Sequence, residues 1–271
     1  MRVLSTNALA SEQDERDRCT TVFDLIALDP FAARYLHQVN ERLQPITEYL
    51  ASIATLHLRS SAILSQGGIG DFALLVASRS TATSTLKELE RTNQLRTRCF
   101  LVLVVLVDDT LGSCRSLPAP EIPQGYYQLV PAADIPAPME AQPGHLQSSL
   151  TAILCSLFGE GLICVDPADF LGLCVGTKII SYKRFSGEVN SVQLDRITAW
   201  LHEFQQIRGL FICINTSQTS LENWHSGEML RIQDDICDTI PGIQFSVISL
   251  PFFTMKHAAA GSLDIFVTTM G

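Results

Sequence analysis

The sequence is short of everything that marks a membrane span, a metal cage or a nucleic-acid surface. No run of about 18 apolar residues occurs, which is what a membrane-crossing helix needs. The longest unbroken apolar block, Phe100 to Val107, is strand-sized. Basic residues are outnumbered, 19 Lys and Arg against 28 Asp and Glu. The formal net charge of −9 leaves no cationic footprint for nucleic acid or anionic lipid. No two of the eight cysteines form a Cys-x-x-Cys pair, and the six histidines are equally dispersed, so no zinc ligand set clusters. Cys99, Cys155, Cys164, Cys174 and Cys213 lie within apolar runs, where a reduced thiol behaves as a small hydrophobe. There is no tandem repeat and no low-complexity tract. The polar start, Met1 to Arg18, carries acids as well as bases, unlike a targeting peptide. These absences predict a cytoplasmic, reduced protein with no metal, no nucleic-acid partner and no direct membrane insertion.

What is present is a globular chain. Its 271 residues, 46% hydrophobic and 17% charged, suffice for one large core or two modest ones. Thr21-Val-Phe-Asp-Leu-Ile-Ala-Leu28 reads as a strand punctuated by Asp29-Pro30. Phe31 to Leu56 carries helical periodicity, with Tyr35, Leu36, Val39 and Leu43 on one face and Pro45 as an interruption. Ser61 to Ser65 reads as a short strand running into Gln66-Gly-Gly-Ile-Gly-Asp71 and a helix over Phe72 to Leu89. Cys99 to Val107 has the composition of a central parallel strand covered on both faces. Seven of the twelve prolines fall between Ser113 and Gly144, which makes that segment a loop apart from a strand at Tyr126 to Val130. Leu146 to Phe158 is an apolar helix. After it come a strand at Lys178 to Arg184, a helix begun by Ser191, and strands at Leu210 to Ile214, Ile243 to Leu250 and Leu263 to Thr268. A helix over Ser226 to Ile240 separates the first two of those strands. Alternating strands and helices in the first part predict a parallel α/β sheet, and the later part predicts a smaller mixed α/β unit. The boundary falls between 1–165 and 166–271, with the helix after Asp166 joining the two.

One decapeptide sits at that boundary, Gly161-Leu-Ile-Cys-Val-Asp-Pro-Ala-Asp-Phe170. Its apolar run ends at Asp166, which can cap the free amides of a new helix. Pro167 fits the first helical position, where an N–H has no partner anyway. Asp166 and Asp169, three residues apart, share one side of that helix. Read by itself, the stretch is a well-capped helix start.

The decapeptide also resembles the FtsZ segment Gly-Leu-Ile-Asn-Val-Asp-Phe-Ala-Asp-Val, with Cys164 in place of the asparagine. Ile207-Arg-Gly-Leu-Phe-Ile-Cys-Ile-Asn215 is similar to the family strand Arg-Gly-Val-Leu-Val-Asn-Ile. The closing Asp264-Ile-Phe-Val-Thr-Thr-Met-Gly271 is similar to its final Arg-Val-Thr-Val-Ile-Ala-Thr-Gly. The chain is thus identified, over about 145–271, as resembling a divergent member of the tubulin/FtsZ superfamily. The resemblance implies a parallel-sheet, nucleotide-binding-like domain joined by a central helix to a smaller mixed α/β C-terminal domain. It makes the decapeptide a synergy loop, whose acids, here Asp166 and Asp169, act catalytically on the nucleotide of a neighbouring subunit.

The same resemblance implies a glycine-rich phosphate loop, Gly-Gly-Gly-Thr-Gly-Thr-Gly. Ser65-Gln-Gly-Gly-Ile-Gly-Asp71 keeps Gly67, Gly68 and Gly70 as the candidate cofactor-binding residues, but both threonines are missing and Asp71 brings a negative charge. Glycine is absent from Ser5 to Cys19 and from Phe31 to Ser60, where two further pocket loops are expected. Leu129-Val-Pro-Ala-Ala-Asp134 resembles the base-contacting Ile-Pro-Asn-Asp without its asparagine, leaving Asp134 as a loop acid or a base contact. The expectation is a pseudo-GTPase with no cofactor of its own and GTP as the only candidate. Its partner would be itself or another FtsZ-like subunit, head to tail, and its role that of a filament-associated or assembly-regulating subunit. Two alternatives stand beside it. One is an active GTP-binding cytomotive protein. The other is a scaffold using new surfaces, foremost the proline-rich insert Leu117 to Pro143 with Tyr126 and Tyr127.

Overall fold

The computed structural model describes residues 21–51, 54–60, 70–78, 81, 84, 87, 99–107, 125–131, 142–163, 165–187, 191–215, 226–240, 242–251 and 261–270. The strands are β1 (Thr21–Ala27), β2 (Ala54–Ser60), β3 (Phe72–Ser78), β4 (Leu101–Val107), β5 (Tyr127–Pro131), β6 (Gly161–Ile163), β7 (Thr177–Ser186), β8 (Ile207–Asn215), β9 (Phe245–Pro251) and β10 (Ser262–Met270). The helices are α1 (Pro30–Leu50), α2 (Gln142–Phe158), α3 (Pro167–Cys174), α4 (Ser191–Leu201) and α5 (Ser226–Asp238).

The strands form one sheet in the order β2-β1-β3-β4-β5-β7-β10-β8-β9-β6. From β2 to β7 every pairing is parallel. β10 then runs antiparallel between β7 and β8, β8 and β9 are parallel, and the short β6 closes the far edge antiparallel to β9. The parallel half and the mixed half anticipated from the sequence are both present, and they meet where Gln128 to Pro131 pairs with Ile179 to Tyr182.

Packing follows from which faces are apolar. β3 and β4 are buried at every position, as central parallel strands must be when both faces are covered. On one face, Tyr35, Leu36, Val39 and Leu43 of α1 meet Leu146, Leu150 and Ile153 of α2 over Phe23, Leu25, Leu74 and Leu103. The same cluster continues to Phe170, Phe211 and Phe266 in the mixed half. The opposite face of the mixed half is a second cluster, in which Ile197 and Trp200 of α4 and Ile232 and Ile236 of α5 cover Leu210, Ile212 and Ile265.

Two elements differ from expectation. α1 runs unbroken through Pro45 and stops at Leu50, so 54–60 is strand β2 and not the end of a helix. The sequence Ala54-Thr-Leu-His-Leu-Arg-Ser60 alternates apolar and polar residues, which is the strand period. The second difference weighs more: the helix expected over Phe72 to Leu89 begins as strand β3 through Ser78, and the described positions beyond it, Thr81, Ser84 and Lys87, are helical. Phe72-Ala-Leu-Leu-Val-Ala is apolar throughout, so no period separates the two states. Burial between β1 and β4 decides for strand. The proposed strand at Ser61 to Ser65 lies outside the described residues. Among those described, no helix is long and apolar enough to cross a membrane.

Candidate functional site

The candidate acids stand at the foot of α3. Gly161 is forced to be glycine here, because a Cβ would lie 2.5 Å from the Leu250 carbonyl oxygen where β6 crosses β9. Val165 is buried, and its amide donates to the Ser156 carbonyl of α2 at 3.2 Å, which fixes the chain as it leaves that helix. Asp166 then adopts extended backbone (φ −68°, ψ 135°) and caps α3, its Oδ1 accepting from the Ala168 amide at 2.6 Å. Pro167 occupies the first helical position, and the Asp166 carbonyl accepts from the Asp169 and Phe170 amides. Phe170 is the anchor. It is 1% exposed and meets Phe211 edge-on with centroids 5.5 Å apart. With that ring locked inward, Asp166 and Asp169 are held outward and exposed. Asp166 is thus the cap of α3 and Asp169 an acid of its first turn, both exposed.

Gly70 sits elsewhere. It precedes β3, so it opens a strand and has no helix N-terminus behind it. Its amide donates to the Asp24 carboxylate at 2.6 Å, and a Cβ would lie 2.5 Å from Val22 Cγ1 and 2.6 Å from the Val22 oxygen. Close approach of two backbone segments explains this glycine, and its N–H is committed to a carboxylate. Gly67 and Gly68 lie outside the described residues, as does Asp134. Asp24 is fully buried and also holds Arg59, whose Nε is 2.7 Å from Oδ1 in an ion-pair contact without hydrogen-bond alignment; His57 Nδ1 is 3.5 Å away. Tyr126, advanced as a surface group of the proline-rich insert, is 1% exposed. Tyr127 is half-buried against the main core, and burial raises its phenol. The rest of that insert, apart from 125–131 and 142–143, is outside the described residues.

Topology points to a different place for a ligand. From β1 the chain crosses through α1 to β2 on one side, while β3 pairs on the other. The order therefore reverses between β1 and β3. In open parallel sheets, ligands bind at the carboxyl ends of strands at such a switch point. Gly70 is at the amino end of β3, the wrong edge. At the carboxyl edge stand Asp29, just beyond β1, and Ser78, which ends β3. Asp29 Oδ1 accepts from the Phe31 and Ala32 amides, both at 2.9 Å. Its Oδ2 accepts from the Ser78 amide at 2.6 Å and the Thr81 hydroxyl at 3.0 Å. Burial raises the Asp29 carboxyl, but the hydrogen bonds from Ala32, Ser78 and Thr81 outweigh it, and the net shift is below the ordinary carboxylate value. A nucleotide phosphate does not fit these residues, because a fixed negative charge already takes the donors.

The sequence held a sign of this. Asp29-Pro30 and Asp166-Pro167 are the same strand-to-helix punctuation. The first turned both oxygens inward onto two elements, and the second faces solvent. α2 ends at Phe158, whose ring meets Phe72 at the amino end of β3, and the Glu160 carbonyl accepts from the Tyr49 hydroxyl in the last turn of α1 at 3.5 Å. The chain therefore enters the Asp166 segment from the amino edge of the parallel half, whereas Asp29 stands at its carboxyl edge.

A second buried acid stands in the mixed half. Asp264 of β10 is fully buried and receives Arg184 through Nε at 2.8 Å and Nη2 at 2.7 Å, the Tyr182 hydroxyl at 2.6 Å and Asn215 Nδ2 at 2.5 Å. Burial and the Asp264 charge push the Tyr182 phenol up; burial lowers the Arg184 guanidinium, and the Asp264 pairing more than reverses that. Cys213 beside them is pushed up to about 12 by burial and then by Asp264, so it stays a neutral thiol. No group of three or more metal-ligating side chains occurs among the described residues.

No protein-family model and no curated protein matches this chain. Solved structures do. The FtsZ W319Y mutant of M. jannaschii aligns with 98% of this chain and 96% of its own at 8% identity and a TM-score of 0.54. An FtsZ dimer from the same source aligns over 98% and 92% at 9% identity and 0.51. The GTPγS-form protofilament of TubZ from Bacillus thuringiensis serovar israelensis aligns over 98% and 90% at 8% identity and 0.51. Identities this low carry fold alone. Over nearly its whole length, through the parallel half, the α2–α3 junction and the mixed half, the chain has the tubulin/FtsZ fold.

Proposed function

We propose that this chain is an assembly subunit of the tubulin/FtsZ fold that lacks ordinary GTP binding and acts on a neighbour through Asp166 and Asp169. The observation that carries the reading is the exposure of those two acids on α3, anchored by Phe170 at one edge of the sheet. The similar structures are described as a dimer and as a protofilament, which supports head-to-tail contact between copies or with another subunit of the same fold. In such a contact the two acids reach a nucleotide held by the neighbour, and a carboxylate there orients or polarises attacking water. An open stack of this kind has no closed symmetry, so the subunit either extends a filament or regulates one built by a partner.

The competing reading, a GTP-binding cytomotive protein, would need phosphate donors. Gly70 is committed to Asp24, and the carboxyl edge of β1 and β3 carries Asp29. The test is calorimetric titration of the purified chain with GTP and Mg²⁺, followed by assay of GTP turnover by a GTP-hydrolysing FtsZ-fold protein mixed with it. The expected result is no heat of binding by this chain alone and a changed partner turnover that Asp166→Ala abolishes. Tight GTP binding by the chain alone would replace this reading with the cytomotive one. Unchanged turnover together with concentration-dependent self-assembly, seen by sedimentation without nucleotide, would leave a nucleotide-independent filament.

A further inference from the structure

The disagreement between the fold and its ligand edge has a specific cause. Four donors converge on one carboxylate at the switch point, and they come from two separate parts of the chain. The Phe31 and Ala32 amides belong to the first turn of α1, while the Ser78 amide belongs to the end of β3 and the Thr81 hydroxyl to a helical position three residues on. Ser78 Oγ lies 3.0 Å from Thr81 Oγ1, so with the Thr81 proton on Asp29 the Ser78 hydroxyl can donate to Thr81, and the Ser78 carbonyl, 3.3 Å away, is the Thr81 hydroxyl's alternative acceptor. A helix N-terminus favours an anion through its free amides and dipole. Here the anion is supplied covalently, two bonds from the backbone of the residue that caps the helix.

We infer that Asp29 is an internal substitute for a bound anion, tying the first turn of α1 to Ser78 and Thr81 so that the two are held together without nucleotide. The inference rests on the proposed loss of GTP binding and supplies its mechanism. An external phosphate would have to displace a carboxylate that cannot diffuse away and would then sit beside it. Repulsion and competition for the same donors both act against binding. The two elements are held together by a side chain, which makes their contact independent of nucleotide state.

Chemical rescue tests this. Asp29→Gly vacates the whole position, and glycine is tolerated as a helix cap. Asp29→Ser keeps a cap for α1 but cannot reach Ser78 and Thr81, so a folded variant is available if the first does not fold. Thermal unfolding of the wild type and both variants is followed in sodium chloride and, at matched ionic strength, in sodium formate, acetate and inorganic phosphate. The wild type is expected to show only the general salt effect, common to all three proteins. The variants are expected to melt roughly 3–6 °C lower in chloride and to regain most of that loss in formate, acetate or phosphate in a saturable manner. Recovery that is absent or non-saturable, or variants as stable as the wild type in chloride, would overturn the inference while leaving the loss of GTP binding in place. GTP binding by the wild type in the separate calorimetric titration would overturn both.

Discussion

Asp29 and Asp166 have the same neighbour, Pro, and the same local duty, yet one takes four donors and the other one. The difference sets opposite sensitivities. Asp29 is ionised more readily in the folded chain than its ordinary value of 3.8, so its contribution to stability is present above that value and is lost as pH falls through the lowered folded value. Urea denaturation of Asp29→Asn should show a loss of about 2 kcal/mol at neutral pH, shrinking toward zero as the pH is taken from about 5 downward. A loss that stays constant with pH would mean that ionisation of Asp29 plays no part. Asp166 should behave otherwise. Asp166→Ala removes a single cap bond, about 1 kcal/mol, and Asp169→Ala in an exposed first turn costs about 0.5 kcal/mol through the helix dipole. If both variants remain folded by circular dichroism while partner GTP turnover drops, the acids act in the assembly and not in folding. A large stability loss from either would show them to be structural.

Among the elements, β3 best shows what periodicity can and cannot say. Helix α4 was legible because Leu194, Ile197 and Leu201 repeat at the helical period, whereas β8 is apolar on both faces, Leu210 and Ile212 entering one cluster and Phe211 and Cys213 the other. Phe72 to Ala77 has no period. Its state is set by β1 and β4 on either side, which lie far away in sequence. That single misreading moved the expected phosphate loop to the amino edge, and Asp29 passed as mere punctuation. The exposed acids of α3 were legible because capping, proline and spacing are all local. Asp264 in a mid-strand apolar run was a visible anomaly whose partners, Arg184 and Asn215, only the register supplies. The corrected role of Gly70 can be checked within the element. Gly70→Ala pushes a Cβ into Val22, including its backbone oxygen at 2.6 Å, and should cost about 1–3 kcal/mol in urea denaturation. Gly172→Ala in α3, with nothing within 4 Å of the new carbon, should be neutral or gain up to about 1 kcal/mol. Equal effects at the two sites would mean that contact with Val22 is not what requires Gly70.

At the scale of the whole molecule, the question is whether the parallel and mixed halves unfold separately. The β5–β7 ladder makes one sheet of them, and one apolar cluster runs from Phe23 and Leu74 through Ile153 of α2 to Phe170, Phe211 and Phe266. Neither half can lose its strands without exposing the other's core, so heat should unfold the described sheet in a single transition. The buried Asp264 group lies inside the mixed half, where Arg184 approaches it from β7, the strand that also carries the ladder to β5. Asp264→Ala leaves the Arg184 guanidinium without its carboxylate and should cost about 3–5 kcal/mol. Because the halves share a core, that loss should appear as a lower midpoint of the one calorimetric transition, not as early melting of the C-terminal strands alone. Hydrogen exchange separates the two outcomes. In a coupled molecule, protection falls in β3 and β4 as much as in β8 and β10. If protection fell only in β8 and β10, the junction at β5 and β7 would be a boundary between independent units, and the acids of α3 would belong to a body able to move against the elements that Asp29 ties together.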